Sequence, residues 1–106
     1  MDEKLKRIYI PMTETGFYIL FSLQTERHGY SIIQHVQELT NQEIIISAGT
    51  MYGSLSKMEK DGLITVTKEE NRRKNYILTE TGKKLLTAEI NRIERLYKNS
   101  IGEKIK

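Results

Sequence analysis

SAGTMYGSLSKMEKDGLI, residues 47–64, is the stretch that decides the fold. Ser47 can cap a helix, because its hydroxyl can accept a hydrogen bond from a main-chain amide two or three residues later. Apolar residues then recur at steps of four and three, which predicts one buried stripe. They are Met51, Leu55 and Met58. Gly62 can adopt the left-handed conformation that ends many helices, so the stretch predicts a capped amphipathic helix with a defined end.

The other faces of this helix carry small, polar and weakly basic side chains. They are Gly49, Thr50, Gly53, Ser54 and Lys57. Such residues let a helix approach base edges and phosphates closely, so we predict a DNA recognition helix. The alternative is that the small outward residues pack against a neighbouring subunit. A surface helix that serves only solubility would more often carry Glu and Lys there.

The composition fits one small domain. The chain has 106 residues, no Cys, no Trp and 29% charged residues, which is enough for a single modest core. The absence of Cys argues against disulfides and the usual structural zinc sites. The formal charge of +3 is mild, so a polyanionic partner must be inferred from where the charges lie.

No stretch of the sequence indicates a membrane or a secretion pathway. No apolar run approaches the roughly 20 residues of a bilayer span. The N-terminus carries acids and lacks the uninterrupted apolar core of a secretion signal. We therefore expect a cytoplasmic protein.

The sequence offers little for catalysis or cofactor binding. His28 and His35 are seven residues apart and could share a helix face, but no third ligand accompanies them at a useful spacing. No nucleophile elbow, glycine-rich phosphate loop or isolated carboxylate in an apolar run is present. We expect neither an enzyme, nor a metal site, nor a cofactor.

The residues before the recognition helix predict an arm and two helices. Residues 1–12 are predicted to form a loose arm that docks through a small apolar cluster. The cluster is Ile8, Tyr9, Ile10 and Met12. A mostly buried helix is predicted over residues 13–24, and a second helix over about 30–39. A helix, a short connection over 40–46 and a capped helix make a helix-turn-helix.

After Gly62 the apolar period changes to two. Alternation over residues 64–67 and again over 75–79 predicts two antiparallel strands. Residues 68–74 are predicted to form a polar, flexible tip with Asn71 in the left-handed conformation. The tip carries Arg72-Arg73-Lys74, the densest positive charge in the chain. A basic turn is often only solvated, but behind a recognition helix it can reach phosphates or a narrow minor groove.

The last helix is predicted to start at about Glu80 and to end near Gly102, with residues 103–106 frayed. It carries more apolar surface than a small core can cover, so we expect a homodimer paired through this helix. The predicted dimerisation residues are Leu86, Ile90, Ile93, Leu96 and Tyr97. Leu85 is expected to pack within its own chain. The alternative is a monomer in which the apolar stripe folds back on the first helix.

Together these elements predict a mainly α (α+β) fold, a winged helix-turn-helix with a two-stranded β wing and a C-terminal dimerisation helix. We expect a DNA-binding domain with its arm over residues 1–79 and the dimerisation helix over 80–106. The two parts should form one compact unit.

Three motifs of the chain resemble the PadR-like transcriptional regulators of bacteria. They are His28-Gly29-Tyr30-x-Ile32, then Gly49-Thr50-x-Tyr52-x-x-Leu55-x-x-Met58-Glu59-x-Asp61-Gly62-Leu63-Ile64, then Arg73-Lys74-x-Tyr76-x-Leu78-Thr79-x-x-Gly82. They follow the order and spacing of that family, and the resemblance spans about residues 16–82. The chain looks like the short subfamily, whose members end in one dimerising helix.

The resemblance implies a dimeric winged helix that binds an operator with dyad symmetry, usually as a repressor. Tyr30, Thr50 and Tyr52 match positions at or near the DNA face of such proteins, and Arg73 and Lys74 match the basic wing. Some short relatives bind flat aromatic drugs between tryptophans at the dimer interface. This chain has no Trp, which argues against that ligand mode. A small aromatic effector would need a smaller pocket, lined by Tyr97 or Ile93.

We therefore predict a homodimeric, sequence-specific repressor of double-stranded DNA. Two copies of the helix over 48–61 would enter successive major grooves, roughly 34 Å apart, with each wing on flanking backbone or minor groove. The predicted contacts are Tyr30, Gly49, Thr50, Tyr52, Gly53, Ser54, Lys57, Arg72, Arg73 and Lys74. Two alternatives stay open: a winged helix that binds protein rather than DNA, and a small-molecule sensor whose DNA binding has degenerated.

Overall fold

The computed structural model describes residues 3–104, which form a mainly helical fold with a small sheet. In chain order the elements are α1 (Glu3–Tyr9), α2 (Glu14–Ser22), β1 (Arg27–His28), α3 (Gly29–Leu39), α4 (Ala48–Lys60), β2 (Ile64–Glu70), β3 (Arg73–Leu78) and α5 (Glu80–Ser100). The predicted fold class is confirmed. The first two residues of the predicted arm and the last two of the predicted frayed tail lie outside the described residues.

The core lies where α2, α3 and α4 meet the sheet and the start of α5. Its buried side chains are Ile19, Leu20, Leu23, Ile32, Val36, Ile46, Met51, Leu55, Met58, Leu63, Ile64, Tyr76, Leu78, Leu85 and Leu86. The predicted stripe of α4 and the expected packing of Leu85 within its own chain are both confirmed. The inward stripe of α4 fixes which of its faces points to solvent.

Helix α4 has the start and the end that its sequence predicts. The amide of Thr50 donates to Oγ of Ser47 at 3.2 Å. Gly62 has a φ of 79°, and the amide of Leu63 donates to the carbonyl of Met58 at 2.9 Å. A left-handed glycine followed by this long-range hydrogen bond is a Schellman motif. Local hydrogen bonds therefore hold both ends of the helix.

The N-terminal arm is not the loose segment that the sequence predicts. Residues Glu3–Tyr9 form α1, and Ile8 is 48% exposed rather than docked. The apolar residues that pack on the core are Leu5, Tyr9, Ile10 and Met12. The hydroxyl of Tyr9 donates to Oδ2 of Asp61 at 2.6 Å. A seven-residue helix is marginal in isolation, so the contacts of its docked face explain why it forms here.

The sheet has three antiparallel strands in the order β1-β3-β2. The β2–β3 hairpin is the predicted wing. The sequence did not predict β1, whose Arg27 and His28 pair with Tyr76 and Asn75 of β3. Two residues are too few for an alternating pattern to show in a sequence. This strand places the start of α3 against the wing.

The tip of the wing is shorter and more ordered than predicted. Only Asn71 and Arg72 lie outside the strands, with φ values of 51° and 65°. Two successive left-handed residues form the type I′ turn that matches the twist of a hairpin. The prediction for Asn71 is confirmed. Arg73 and Lys74, which were expected on a flexible loop, project from opposite faces of a paired strand.

Helix α5 starts in direct contact with the chain at the beginning of β2. The amide of Gly82 donates to Oγ1 of Thr79 at 3.1 Å, which caps the helix. A Cβ added at Gly82 would lie 2.1 Å from the carbonyl oxygen of Leu63. Only glycine therefore lets α5 approach the backbone this closely.

The end of α5 corrects one prediction. Glu103 was expected to be frayed, but its amide donates to the carbonyl of Lys98 at 2.8 Å. Gly102, with a φ of 90°, provides the left-handed residue of this second Schellman motif. The described tail thus folds back on the last turn of the helix.

Glu89 is the one charged side chain buried within residues 3–104, with 1% of its surface exposed. Its Oε2 accepts a hydrogen bond from the amide of Met12 at 2.7 Å and another from Nη2 of Arg92 at 3.0 Å. Burial acts to raise the pKa of Glu89, but these hydrogen bonds and the charge of Arg92 outweigh it, and the pKa lies below its ordinary value. The carboxylate therefore joins α5 to the arm.

Candidate nucleic-acid interface

The outward face of α4 is open at two positions. A Cβ added at Gly49 or at Gly53 would meet nothing within 4 Å. The two glycines are four residues apart, so they lie one above the other on the same face of the helix. Without side chains there, a partner can approach the helix backbone closely.

The residues on either side of Gly53 lie on opposite flanks of this open face. An α-helix turns about 100° per residue, so Tyr52 and Ser54 point away from Gly53 in opposite directions. Tyr52 contacts Gly29 at the start of α3. Ser54 faces the arm, where it lines a shallow cavity of about 220 Å³ together with Tyr9.

Lys57 also lies beside the arm. Its Nζ lies 3.1 Å from Oδ2 of Asp61 and 5.2 Å from the ring centroid of Tyr9. Hydrogen bonds from Tyr9 and Lys57 to Asp61 hold the pKa of its carboxyl below the ordinary value. Burial and the hydrogen bond to Asp61 raise the pKa of Tyr9, so its phenol stays a donor. Lys57 lies one turn beyond Gly53 on the open face, where its ammonium group already pairs with Asp61. Ser54 lies on the flank nearer the arm.

A groove of about 390 Å³ lies between α3, α4 and the wing, and we call it the wing groove. It is lined by Tyr52, by His28-Gly29 and by the three cations over residues 72–74. No carboxylate lines it in the part of the chain that the structure describes. Tyr52 is 53% exposed, and its hydroxyl forms no hydrogen bond with any residue from 3 to 104. The groove thus combines positive charge with a free phenolic donor.

Tyr30 and Thr50 are exposed near the starts of their helices. Tyr30 is the second residue of α3 and is 55% exposed. Oγ1 of Thr50 accepts a hydrogen bond from Oγ of Ser47 at 3.0 Å, so the hydroxyl proton of Thr50 remains available to a partner. In helix-turn-helix proteins the first residues of the recognition helix are those that contact base edges.

Opposite charges face each other across the wing. Glu69 and Glu70 are the cross-strand partners of Lys74 and Arg73. Glu70 forms its ion pair with Lys68 at 3.2 Å instead. Within residues 3–104, none of the cations at 72–74 forms an ion pair, so their charge is available to an outside anion, although the two acids weaken the local field.

His28 joins α3 to the wing, a role that the sequence did not reveal. Its Nδ1 accepts a hydrogen bond from the amide of Ser31 at 3.2 Å and so caps α3. Its Nε2 lies 3.4 Å from Nη1 of Arg73. Burial, and then the nearby charge of Arg73, lower the pKa of His28. A neutral ring is needed for the cap, because a protonated Nδ1 cannot accept a hydrogen bond.

The second half of α5 exposes an apolar face. Ile90, Ile93, Leu96 and Tyr97 are each between 40% and 61% exposed. Leu86, which was predicted to belong to this stripe, is only 3% exposed and lies in the core of its own chain. Helix α5 packs against α2 and β3, and Leu86 belongs to the core that these elements share. The exposed stripe therefore begins one turn later than predicted, at Ile90.

The described residues contain no group of three or more His, Cys, Asp or Glu side chains placed to hold a metal ion. Over residues 3–104, no helix combines the length and the apolar character needed to cross a bilayer.

Comparisons of the sequence with known proteins point to one family. The model of the PadR-like family of transcriptional regulators matches residues 19–88. The protein named transcriptional regulator YqjI, from Escherichia coli strain K12, is 31% identical over 71 residues, which are 67% of this chain and 34% of that protein. The matched part of the chain thus covers about a third of the length of that relative.

Two solved structures share the fold over most of the chain. A transcriptional regulator from Clostridium thermocellum superposes with a TM-score of 0.69 and 26% identity, over 98% of this chain and 100% of that one. Bacillus subtilis PadR, solved in complex with operator DNA, has a TM-score of 0.61 and 28% identity, over 72% of this chain and 47% of that one.

Proposed function

Because the chain belongs to the PadR-like family of transcriptional regulators, we propose that it is a homodimeric, sequence-specific DNA-binding repressor. The observation that carries the proposal is the open face of α4 beside a wing whose three cations have no ion-pair partner within residues 3–104. The complex of Bacillus subtilis PadR with operator DNA supports DNA as the partner.

In the proposed complex the first two turns of α4 enter the major groove. Gly49 and Gly53 allow close approach, while Thr50 contacts base edges. Tyr52, beside Gly53, and Tyr30, exposed at the start of α3, are proposed to bind the DNA backbone. The wing, with Arg72, Arg73 and Lys74, lies on flanking phosphates or in the minor groove. Ser54 and Lys57, nearer the arm, are proposed as contacts at the edge of this interface.

The exposed half of α5, residues 90–101, is the proposed dimer interface. Ile90, Ile93 and Tyr97 follow one another at steps of three and four, which places them on one face of the helix. Burying apolar surface gains about 25 cal/mol per Å², so pairing two such faces stabilises a dimer. A twofold axis through this pair would set the two α4 helices one DNA turn apart, roughly 34 Å.

A gel shift with the DNA upstream of its own gene tests the proposal directly. At low salt we expect a retarded band, and footprinting should show protection with dyad symmetry. Unretarded DNA at low salt would exclude this function. Size exclusion with light scattering should give the mass of a dimer, and a single-chain mass at micromolar concentration would contradict the dimer.

The variant Ile93→Asp tests the interface. A charge in the centre of the apolar face should dissociate the dimer, because an unpaired buried charge costs several kcal/mol (about 3 to 5). The monomer should retain its helical circular dichroism but lose most of its affinity for a two-half-site operator. Leu39→Asp is the matched control, since Leu39 is 50% exposed and lies at the end of α3, outside both α5 and the proposed DNA contacts. A dimeric Ile93→Asp protein would rule out this face.

The variant Thr50→Val tests base contact by α4. The substitution keeps the shape of the side chain and removes the free hydroxyl proton. We expect a change in sequence preference of roughly 1 to 3 kcal/mol at one base position of each half-site. Affinity for non-specific DNA should stay the same. A selection of binding sites from random DNA measures both, and an unchanged preferred site would remove Thr50 from base readout.

Release by a small aromatic effector is proposed from the family resemblance. Ile93 and Tyr97 are the exposed apolar side chains that the helix pair would offer to a flat ligand. A ligand there would change the angle between the two subunits and misplace the two α4 helices on DNA. Titration of the protein–DNA complex with single-ring aromatic compounds should then release the DNA.

A second candidate function is a winged helix that binds protein. The formal charge of only +3 and the acids opposite Arg73 and Lys74 favour it. This function predicts no retardation of DNA at any salt concentration and recovery of a defined partner by pull-down. The gel shift therefore separates the two candidates.

A further inference from the structure

Gly29 lies directly beneath the end of the Tyr52 ring. A Cβ added at Gly29 would lie 2.8 Å from Cε1 of Tyr52, 2.9 Å from its Cζ and 3.0 Å from its hydroxyl oxygen. Real Cβ atoms almost never lie closer than 3.0 Å to another heavy atom, so alanine at this position would shift the end of the Tyr52 ring by a few tenths of an ångström or more. The first residue of α3 therefore determines where the phenol of α4 lies.

The phenol that Gly29 accommodates is placed towards the wing. Tyr52 lines the wing groove together with the cations at 72–74. Lys74 and Tyr76 are two residues apart on β3, so both project from the same face of the strand. Tyr52, Lys74 and Tyr76 all line this groove. The wing thus faces the Tyr52 hydroxyl with a cation.

The chemistry of the wing groove suits a phosphate ester. Its cations provide positive charge, Tyr52 provides a hydrogen-bond donor without a partner in residues 3–104, and no carboxylate from that range lines it. Charge-assisted hydrogen bonds from such groups to phosphate oxygens are short and strong. The Tyr52 hydroxyl and the wing cations can bind one phosphate together only if the phenol stays in its observed position.

We infer that Gly29 is a positioning residue for a DNA phosphate site formed by Tyr52 and the wing cations. The inference rests on the proposed function, since the bound group is a backbone phosphodiester. Gly29 itself makes no contact with the phosphate. Because Gly29 has no side chain, the end of the Tyr52 ring can lie against the start of α3, and in the proposed complex the Tyr52 hydroxyl and the wing cations bind the same phosphate.

The variant Gly29→Ala should fold normally, because the atoms that the new methyl group meets belong to the end of one side chain. We expect a shifted Tyr52 ring resonance in the NMR spectrum of tyrosine-labelled protein. Affinity for operator DNA should fall by at least about 10-fold, because each subunit of the dimer weakens one hydrogen bond to a charged group. Tyr52→Ala should cause a similar loss.

The double variant Gly29→Ala/Tyr52→Ala separates positioning from a direct or purely structural role. If Gly29 acts through Tyr52, the double variant binds DNA as Tyr52→Ala does, because the ring to be displaced is already absent. Losses that multiply would overturn the inference, and so would wild-type affinity of Gly29→Ala. Gly16→Ala is the matched control: it lies in the first turn of α2, where a Cβ would meet only Oγ1 of Thr13 at 3.0 Å.

Two further results distinguish a failure of the proposed function from a failure of the role of Gly29. Wild-type protein that binds no DNA at low salt would refute the proposed function. Wild-type protein that binds DNA while Gly29→Ala binds equally well would refute only the role of Gly29. Free phosphate is a second ligand that the same donors could bind, and inorganic phosphate tests it. Without DNA and at constant ionic strength, millimolar phosphate should leave the Tyr52 resonance unshifted, and a saturable shift would assign the groove to free phosphate instead of the DNA backbone.

Discussion

Replacing both Arg73 and Lys74 with alanine is expected to weaken DNA binding by about 100-fold or more at moderate salt. A contact between exposed charges contributes up to about 1 kcal/mol, and a dimer would lose four such contacts, or roughly 3 to 4 kcal/mol in total. The loss should be nearly equal for operator and non-specific DNA, because contacts to phosphate carry no sequence information.

The salt dependence of this variant gives a second, independent measurement. If each subunit neutralises about three phosphates, the slope of log affinity against log salt should be near −5 for the dimer, from about −0.9 per contact. With Arg73 and Lys74 removed, about one contact per subunit remains and the slope should approach −2. Fluorescence anisotropy between about 50 and 200 mM salt measures both slopes.

Lys83→Ala/Lys84→Ala is the matched control for the wing variant. It removes the same charge from two adjacent exposed lysines at the start of α5, at the far end of β3 from the wing tip. We expect nearly wild-type affinity and slope. If the control and the wing variant behave alike, net charge alone governs binding. If neither affinity nor slope changes in the wing variant, the wing does not contact DNA.

The ordered wing strengthens this expectation. A flexible tip would lose conformational entropy when it bound phosphates. In the structure only Asn71 and Arg72 lie outside the strands, so Arg73 and Lys74 project from a backbone that is already fixed. His28 adds to this order, because its strand pairs with β3 at Asn75.

Features that depend on local sequence could be predicted. Ser47, the apolar stripe and Gly62 mark the start, the buried face and the end of α4 within one short stretch. The wing follows from alternation of period two, and the prediction for Asn71 needs only the known tolerance of asparagine for positive φ. Each of these signals acts over a few residues, which is why the sequence reveals it.

Features that depend on distant residues could not be predicted. The contact between Gly29 and Tyr52 joins two helices, and the hydrogen bond from Met12 to Glu89 spans 77 positions. Leu86 has the same apolar spacing as Ile90, and only the packing of α2 and β3 against α5 distinguishes its buried position. The division of the chain at residues 79 and 80 and the roles of the interface residues stay predictions.

Glu89 provides the largest expected effect on stability. Glu89→Ala leaves the amide of Met12 without its acceptor, which costs about 1 to 3 kcal/mol, and it leaves a cavity at a buried position, which adds roughly 2 kcal/mol. Glu89→Gln should cost less, roughly 1 to 3 kcal/mol, because an amide oxygen can still accept from Met12 while its NH₂ group opposes Arg92. The free energy of unfolding of a domain of this size is roughly 5 to 10 kcal/mol in total. Urea unfolding should therefore be measured at low temperature, where a destabilised variant stays folded without urea.

The pH dependence of unfolding of the same variants shows whether the ionised carboxylate of Glu89 stabilises the fold. The pKa of Glu89 in the folded protein lies below its ordinary value of 4.5, so the unfolded chain binds a proton more readily than the folded one. The carboxylate therefore stabilises the fold above about pH 4.5, and this contribution is lost as the pH falls through the folded pKa. The deficit of Glu89→Gln relative to wild type should shrink in acid.

Glu94→Gln controls for the loss of one carboxylate on the same helix. Glu94 is exposed and pairs loosely with Lys98 at 3.8 Å, so its replacement should change the free energy of unfolding by no more than about 0.5 kcal/mol at any pH. Equal deficits for the two variants, or a deficit of Glu89→Gln that does not depend on pH, would mean that the ionised carboxylate of Glu89 does not stabilise the junction between the arm and α5.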